Sequence, residues 1–254
     1  MIVPQSQYNT LIHLGRIHGT ILSRLKSFVT PGITTLDVEN YFIRILREYP
    51  GLKSACKGYQ PRGHKTPYPA NLCVAINEEA VHVPPHERVI NPGDLVTIDL
   101  LLTDGRFITD AAISFIVEPE EAPPERRRLL QCAYESLYKG ISHAKAGNTV
   151  GDISYAIYSV VQQYGFDVLR DYGGHGIGTR IWEDPFIPNY GAPRTGPTLK
   201  EGQLLAIEPL ITSGKPEVKQ INEWATITAD TSDFIQVEHT VLVTSQGPII
   251  LTKP

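Results

Sequence analysis

The sequence lacks the composition of a disulfide-stapled, membrane-spanning or nucleic-acid-binding protein. Its 254 residues include only three cysteines, an odd number without framework spacing, so we expect no disulfide scaffold and a reducing cytoplasm. No apolar run reaches the roughly 18 residues of a transmembrane helix, and the first residues do not resemble a signal peptide. A net charge of -4 gives no reason to expect DNA or an anionic membrane as the main partner.

Four carboxylates interrupt the apolar, strand-like runs that the chain does have, namely Asp99, Asp110, Glu208 and Glu238. Such runs predict buried strands, and burying an ionised carboxylate is costly unless it is paired or binds a metal ion. The same runs contain no matching set of Lys or Arg. Neutralising these side chains takes about four positive charges, which two divalent cations would supply.

The chain also resembles itself at a spacing of about half its length. The matching pairs are residues 30–37 with 145–152, 91–99 with 199–208, and 107–110 with 234–238. The order of the matches is kept, although chance similarity between short motifs is the alternative. We therefore expect one domain over 1–254, built from halves at roughly 1–117 and 125–254 with a linker at 118–124. Each half supplies two of the carboxylates, and a pseudo-two-fold axis would bring all four to one centre.

Helical and strand patterns alternate in the same way in both halves. The predicted helices are residues 5–29, a helix from Leu36 that stops at Pro50, residues 125–144, and a helix from a Thr149–Asp152 capping box to before Gly165. Residues 52–116 and 166 onward read as strands and turns. Two helices followed by strands in each half predict an α+β fold.

His175 is the one imidazole in a glycine-rich segment at residues 173–178, where glycine lets the backbone approach a neighbour closely. Four carboxylates and one histidine form a hard, oxygen-rich ligand set that suits Mn, Fe(II) or Co better than a structural zinc site. Two ions sharing these ligands could hold a bridging water as the nucleophile, and Glu208 could carry its proton. A core histidine without a metal role is the alternative.

These residues and their order resemble the type I methionine aminopeptidases of peptidase family M24. The resemblance extends over nearly the whole chain and includes residues 54–59, 76–82, 92–99, 174–178, 207–209 and 237–240. It implies the pita-bread fold, in which two pseudo-symmetric halves, each of two helices and antiparallel strands, surround a central dinuclear metal site. The implied ligands of two divalent ions (Co, Mn, Fe(II) or Zn) are Asp99, Asp110, His175, Glu208 and Glu238.

The resemblance also implies roles in substrate binding. His82 matches a family histidine that hydrogen-bonds the substrate and helps to stabilise the tetrahedral intermediate. The residues that match the pocket for the methionine side chain are Cys56, Tyr59, Cys73 and Trp224. Soft and aromatic groups suit a thioether, although ordinary core packing would also explain each of them alone.

The sequence departs from the family at three positions near this site. Trp182 occupies the place of a second active-site histidine that contacts the substrate backbone in relatives; indole can donate one hydrogen bond but cannot titrate. Ile181 replaces an aromatic residue, and Val83 replaces the glycine that follows His82. No metal ligand is changed, so these departures put turnover and substrate choice in doubt and leave the metal site intact.

Three functions remain open at this point. The first is a cytoplasmic aminopeptidase that removes methionine from the N-terminus of nascent polypeptides or peptides, and we expect it to be a monomer. The second is an Xaa-Pro peptidase or a paralogue of altered specificity, and the third is a peptide-binding protein without turnover.

The arginine run 126–128 is either a ribosome-docking patch or a solvated helix face. The loop at residues 60–65 is either a gate for substrate or a plain surface loop.

Overall fold

The computed structural model describes residues 1–253, in which helices lie outside and antiparallel sheets inside. The helices are α1 (Tyr8–Phe28), α2 (Thr35–Leu46), α3 (Pro124–Ser142) and α4 (Val150–Tyr164), with 3-10 turns at Gln5–Gln7 and Pro119–Glu121. The first strands are β1 (Lys53–Ser54), β2 (Cys73–Ile76), β3 (Leu95–Thr103) and β4 (Ile108–Ile116). They are followed by β5 (Asp167–Val168), β6 (Gly173–Gly176), β7 (Glu183–Pro188), β8 (Leu204–Ile207), β9 (Leu210–Thr212), β10 (Val218–Gln220), β11 (Thr226–Thr228), β12 (Phe234–Gln236), β13 (His239–Leu242) and β14 (Ile249–Ile250).

In the first half, the long strand β3 organises the sheet. It pairs with β4 along one edge and with β1 and β2 along the other, and all three pairings are antiparallel. Helices α1 and α2 pack against this sheet, and Leu11, Phe42 and Ile98 are fully buried in their shared core. The near-continuous apolar sequence of β3 follows from its burial on both faces.

The second half repeats this plan with more strands. A five-stranded sheet runs in the order β14-β13-β8-β6-β7, a three-stranded sheet in the order β12-β9-β5, and β10 with β11 forms a hairpin. Helices α3 and α4 pack against the sheets, and Leu137, Ile157 and Ile207 are buried in their core. Each half thus has its own helix pair and core, and the strands meet between them.

The two halves begin their second helices with the same device. The side chain of Thr34 accepts a hydrogen bond from the backbone N–H of Asp37, and the Asp37 carboxylate accepts from the N–H of Thr34. Thr149 and Asp152 form the equivalent capping box at the start of α4. The glycine two residues before each cap has a φ of 94°, in the left-handed region that favours glycine. The duplication read from the sequence therefore includes matching local conformations.

Some boundaries differ from the sequence-based expectations. The helix predicted over 5–29 begins as a 3-10 turn and ends at Phe28, and the second helix ends at Leu46 because the next residues form tighter i to i+3 hydrogen bonds. The predicted linker 118–124 contains a 3-10 turn, and α3 begins at Pro124, a residue whose fixed φ suits a first helical position. No helix within residues 1–253 is long and apolar enough to cross a membrane.

The arginine run at the start of α3 is engaged within the protein. Arg126 forms two hydrogen bonds of 2.8 Å with the carboxylate of Asp233, which precedes β12. Arg127 donates to two carbonyls of the preceding turn, and Arg128 donates to the carbonyl of Tyr164. These contacts make the run a structural feature of α3 rather than a free cationic cluster.

Candidate metal centre

The five predicted ligands converge where the strands of the two halves meet. Asp99 and Asp110 lie on the paired strands β3 and β4, and His175 lies on β6. Glu208 directly follows β8, and Glu238 directly precedes β13. Because β8 and β13 pair antiparallel with His239 opposite Ile207, Glu208 and Glu238 are brought opposite each other at the end of this ladder.

Distances within the cluster are those of groups that could share a cation. Nε2 of His175 lies 3.8 Å from Oδ2 of Asp110 and 3.7 Å from Oε1 of Glu208. Ligand atoms of Asp110, His175 and Glu238 all lie within 4.8 Å of one another. Nδ1 of His175 is 2.9 Å from the carbonyl of Gly176, to which it donates, so Nε2 is left as the free ring nitrogen.

The carboxylates lack sufficient partners among the described residues. Oδ1 of Asp99, Oδ1 of Asp110 and Oε1 of Glu238 are buried without a hydrogen bond. Burial raises the pKa of Asp99 to about 6, and burial together with neighbouring carboxylates raises the pKa values of Asp110, Glu208 and Glu238. Orphaned acceptors in a hard, oxygen-rich set fit divalent cations.

Gln236 is a member of the cluster that the sequence reading missed. Its amide Nε2 lies 3.3 Å from Asp99, 3.4 Å from Glu208 and 3.5 Å from Glu238, in each case from a carboxylate oxygen. The signal was present in the sequence, because Gln236 precedes Glu238 by two residues, the spacing that places side chains on one face of a strand.

The glycines beside His175 allow the neighbouring strands of the sheet to approach β6 closely. A Cβ built on Gly174 would lie 2.3 Å from the carbonyl oxygen of Ala206 in β8, and one built on Gly176 would lie 2.2 Å from that of Asp184. Strands on both sides therefore approach the backbone of β6 closely. Glycine at these positions lets β6 carry His175 into the cluster.

All predicted site residues line one cavity of about 640 Å³. Its lining includes Cys56, Tyr59, Cys73, His82, Asp99, Asp110, His175, Trp182, Glu208, Trp224 and Glu238. The structure therefore brings the whole candidate set together. It adds Tyr68, Tyr172, Arg180, Phe186 and Gln236, which the sequence reading did not single out.

An apolar end of the cavity adjoins the carboxylate cluster. Cys56, Cys73, Tyr68 and Trp224 pack there as one buried group, with Leu101 against it. Burial and the nearby Asp99 raise the pKa of both thiols, so they remain protonated at neutral pH. The hydroxyl of Tyr68 lies 3.1 Å from Sγ of Cys73. Neutral sulfur and aromatic surfaces suit an apolar or thioether side chain.

His82 reaches the cavity from a turn with a left-handed backbone. Its φ is 59°, an uncommon conformation for a residue with a side chain. The turn is held by Glu79, whose carboxylate accepts the N–H of Ile76 and pairs with Arg88. Burial, with the charges of His64 and His175, lowers the pKa of His82 to about 4, so its ring is neutral at neutral pH.

Trp182 lies at the mouth of the cavity and is 48% exposed. Its ring centroid is 6.2 Å from that of His82, 6.2 Å from that of His175 and 5.7 Å from that of Tyr59. The indole therefore lies next to the imidazoles of His82 and His175, while its replacement of a second histidine stays a prediction from the sequence. Half of its surface is free to contact a bound molecule.

The chain belongs to metallopeptidase family M24, whose model matches residues 10–245. A methionine aminopeptidase of Clostridium acetobutylicum is 38% identical over 240 residues, which cover 94% of this chain and 92% of that protein. The solved structure of methionine aminopeptidase from Thermotoga maritima matches with a TM-score of 0.93 at 36% identity, covering 100% of this chain and 99% of the other. These findings confirm the resemblance to methionine aminopeptidases and the α+β pita-bread fold.

The Xaa-Pro branch shares the fold only. Prolidase from Pyrococcus furiosus matches with a TM-score of 0.76 at 21% identity, and the match covers 100% of this chain but 65% of that one. The similarity to methionine aminopeptidases is thus greater in sequence, in structure and in the share of the relative that is covered.

Proposed function

We propose that this protein is a metal-dependent aminopeptidase that removes methionine from the N-terminus of peptides and nascent polypeptides. The observation that carries the proposal is the junction of two surfaces in one cavity. A carboxylate cluster with orphaned oxygens adjoins a buried pocket of neutral sulfur and aromatic groups. Membership of family M24 and the relatives named methionine aminopeptidase support the same activity.

The residues that would hold two divalent ions are Asp99, Asp110, His175, Glu208 and Glu238. When bound, such ions would lower the pKa of a water molecule and polarise the scissile carbonyl. Glu208 would accept on its carboxylate a proton from the attacking water and return it to the leaving amine. His82 hydrogen-bonds the substrate and steadies the tetrahedral intermediate.

The remaining side chains bind the first residue of the substrate. Cys56, Tyr59, Cys73 and Trp224 surround its methionine side chain, and Trp182 contacts the peptide at the mouth of the cavity.

We include in this proposal a single catalytic domain over 1–254, a monomeric state and a cytoplasmic location. The three buried free thiols favour the cytoplasmic location. Among ions, the ligand set favours Mn, Fe(II) or Co, with Zn as a further candidate. Ribosome docking through residues 126–128 gains no support, because these arginines are used internally.

Release of free methionine from a Met-Ala-Ser peptide tests the activity. The purified protein is assayed with excess Mn or Co and with chelator, beside an Ala-Pro-Ser peptide for the Xaa-Pro alternative. We expect metal-dependent release from the first peptide only. Cleavage of the second alone would favour an Xaa-Pro peptidase, and cleavage of neither would favour a peptide-binding protein; either result would refute the proposal. The Asp110→Asn variant controls for contaminating peptidases.

A further inference from the structure

Residues 60–67 form a closed loop at the apolar end of the cavity. The N–H of Tyr68 donates to the carbonyl of Tyr59 at 2.8 Å, and the N–H of Gly58 donates to the carbonyl of Tyr68 at 2.9 Å. Both tyrosines line the cavity, so the loop leaves the cavity wall and returns to it. Compact loops with joined ends often carry a function of their own.

The loop has its own internal turn. The N–H of His64 donates to the carbonyl of Pro61 at 3.2 Å, and the side-chain amide of Gln60 donates to the carbonyl of His64 at 2.8 Å. These bonds fix the backbone on both sides of His64. The imidazole is thereby presented from an ordered turn rather than from a free strand of chain.

Glu223 ties this loop to the β10–β11 hairpin of the other half. Its carboxylate accepts hydrogen bonds from the backbone N–H groups of Lys65 and Thr66 and from the hydroxyl of Thr66, the last at 2.6 Å. The Thr66 hydroxyl and both N–H groups lower the pKa of Glu223, which is ionised at neutral pH. The Glu223 carboxylate therefore connects the loop to the hairpin, two segments about 158 residues apart in the chain.

The next residue after Glu223 is Trp224, and residues of the loop and its end pack against its indole ring. The His64 ring stacks on the indole with centroids 4.2 Å apart and planes 28° apart, and Tyr68 meets it edge-on at 5.1 Å. Nδ1 of His64 and Nε1 of Trp224 are buried without hydrogen bonds. Ring packing, not polar pairing, therefore fixes the indole in the cavity wall.

We propose that His64 and Glu223 are positioning residues that fix Trp224 and thereby set which first-residue side chain the cavity accepts. The inference rests on the proposed function, in which Trp224, Cys56 and Cys73 surround the side chain of the substrate's first residue. A rigid wall discriminates an unbranched thioether from a branched side chain of similar size. A wall that is free to move adapts to both and loses that discrimination.

The test measures binding, so it does not depend on turnover. The chain has two tryptophans, Trp182 and Trp224, and a Trp182→Phe background leaves Trp224 as the only indole emitter. The metal-loaded protein is titrated with free methionine and free leucine while Trp224 emission is followed, and acrylamide quenching reports the exposure of the indole. His64→Ala and Glu223→Ala are compared with His64→Phe, which keeps a stacking ring. His13→Ala and Glu120→Ala are exposed controls.

The background protein is expected to bind methionine more tightly than leucine. His64→Ala and Glu223→Ala should increase quenching of Trp224 and reduce this preference by about tenfold, whereas His64→Phe and the two controls retain it. Increased quenching with an unchanged preference would overturn the proposal, as would a background protein without preference. The protein could also fail to release methionine from peptides while the variants still lose the binding preference. That result would refute the aminopeptidase assignment but support the role of the loop.

Discussion

The side-chain amide of Gln236 lies 3.3 Å from the carboxylate of Asp99, although 137 positions separate the two residues in the chain. The same nitrogen approaches Glu208 and Glu238, so the two N–H bonds of one amide serve three carboxylates. An amide in this position offsets part of the repulsion among like charges and orients them before a cation arrives. The cluster is therefore built by contacts between the halves as well as by its ligands.

Replacing Gln236 with Leu should weaken metal binding by about 10- to 100-fold, the usual effect of removing a group that orients metal ligands. Calorimetric titration of the chelator-treated protein with Mn measures this directly. Gln163→Leu, at an exposed position of α4, is the matched control. Equal affinities in the Gln236 variant and the wild type would show that the carboxylates hold their positions without the amide.

His82 and Asp110 should separate catalysis from metal binding. We expect His82→Ala to lower kcat by about 100- to 1,000-fold while the metal content per chain is unchanged, because it removes only a hydrogen bond to the reacting group. Asp110→Asn should lower both activity and bound metal. Activity assays paired with elemental analysis provide the comparison, and loss of metal from His82→Ala would contradict the role proposed for this residue.

Trp182→His should increase kcat/KM for a Met-Ala peptide by about tenfold or more, because an imidazole at this site can both donate and accept a proton. Trp182→Phe keeps an aromatic ring without a titratable group and should show no gain. The two variants are compared by steady-state kinetics at equal metal occupancy. If histidine and phenylalanine have the same effect, the position acts only through its apolar surface.

The ligands and the duplication could be read from the sequence because they leave a local pattern. Asp99 and Glu208 each end an apolar strand run, and Thr149 with Asp152 is a capping box that the structure confirms. Gln236 leaves only a weak local pattern, its two-residue spacing from Glu238, and His64 leaves none. Their roles depend on partners more than 100 residues distant, such as Asp99 and Trp224, and such contacts exist only once the halves have packed.

His18 makes the stability of the fold depend on pH. It is fully buried, with Nδ1 2.9 Å from the hydroxyl of Thr109, and burial, together with the charge of His239, lowers its pKa to about 3. In the unfolded chain this histidine has a pKa of about 6.5 and becomes protonated, whereas in the native state it stays neutral. The free energy of unfolding therefore falls as the pH decreases from about 7 towards 3. Between pH 7.5 and pH 5 this one group removes about 2 kcal/mol.

Urea unfolding of the wild type and of His18→Gln at pH 7.5 and pH 5 measures this contribution. The other titrating groups are common to both proteins, so the difference between their pH responses isolates His18. We expect the wild type to lose about 2 kcal/mol more than the variant over this interval. Parallel losses in the two proteins would mean that His18 titrates alike in the native and unfolded states.

One titration shows whether the cation-dependent centre and the methionine pocket act together. Chelator-treated protein is titrated with Mn while bound metal and methionine release from Met-Ala-Ser are followed in the same samples. We expect no release without metal, and release that increases with occupancy up to two ions per chain, the number we propose for the five ligands. Methionine release from the metal-free protein, or no release at full occupancy, would contradict this expectation.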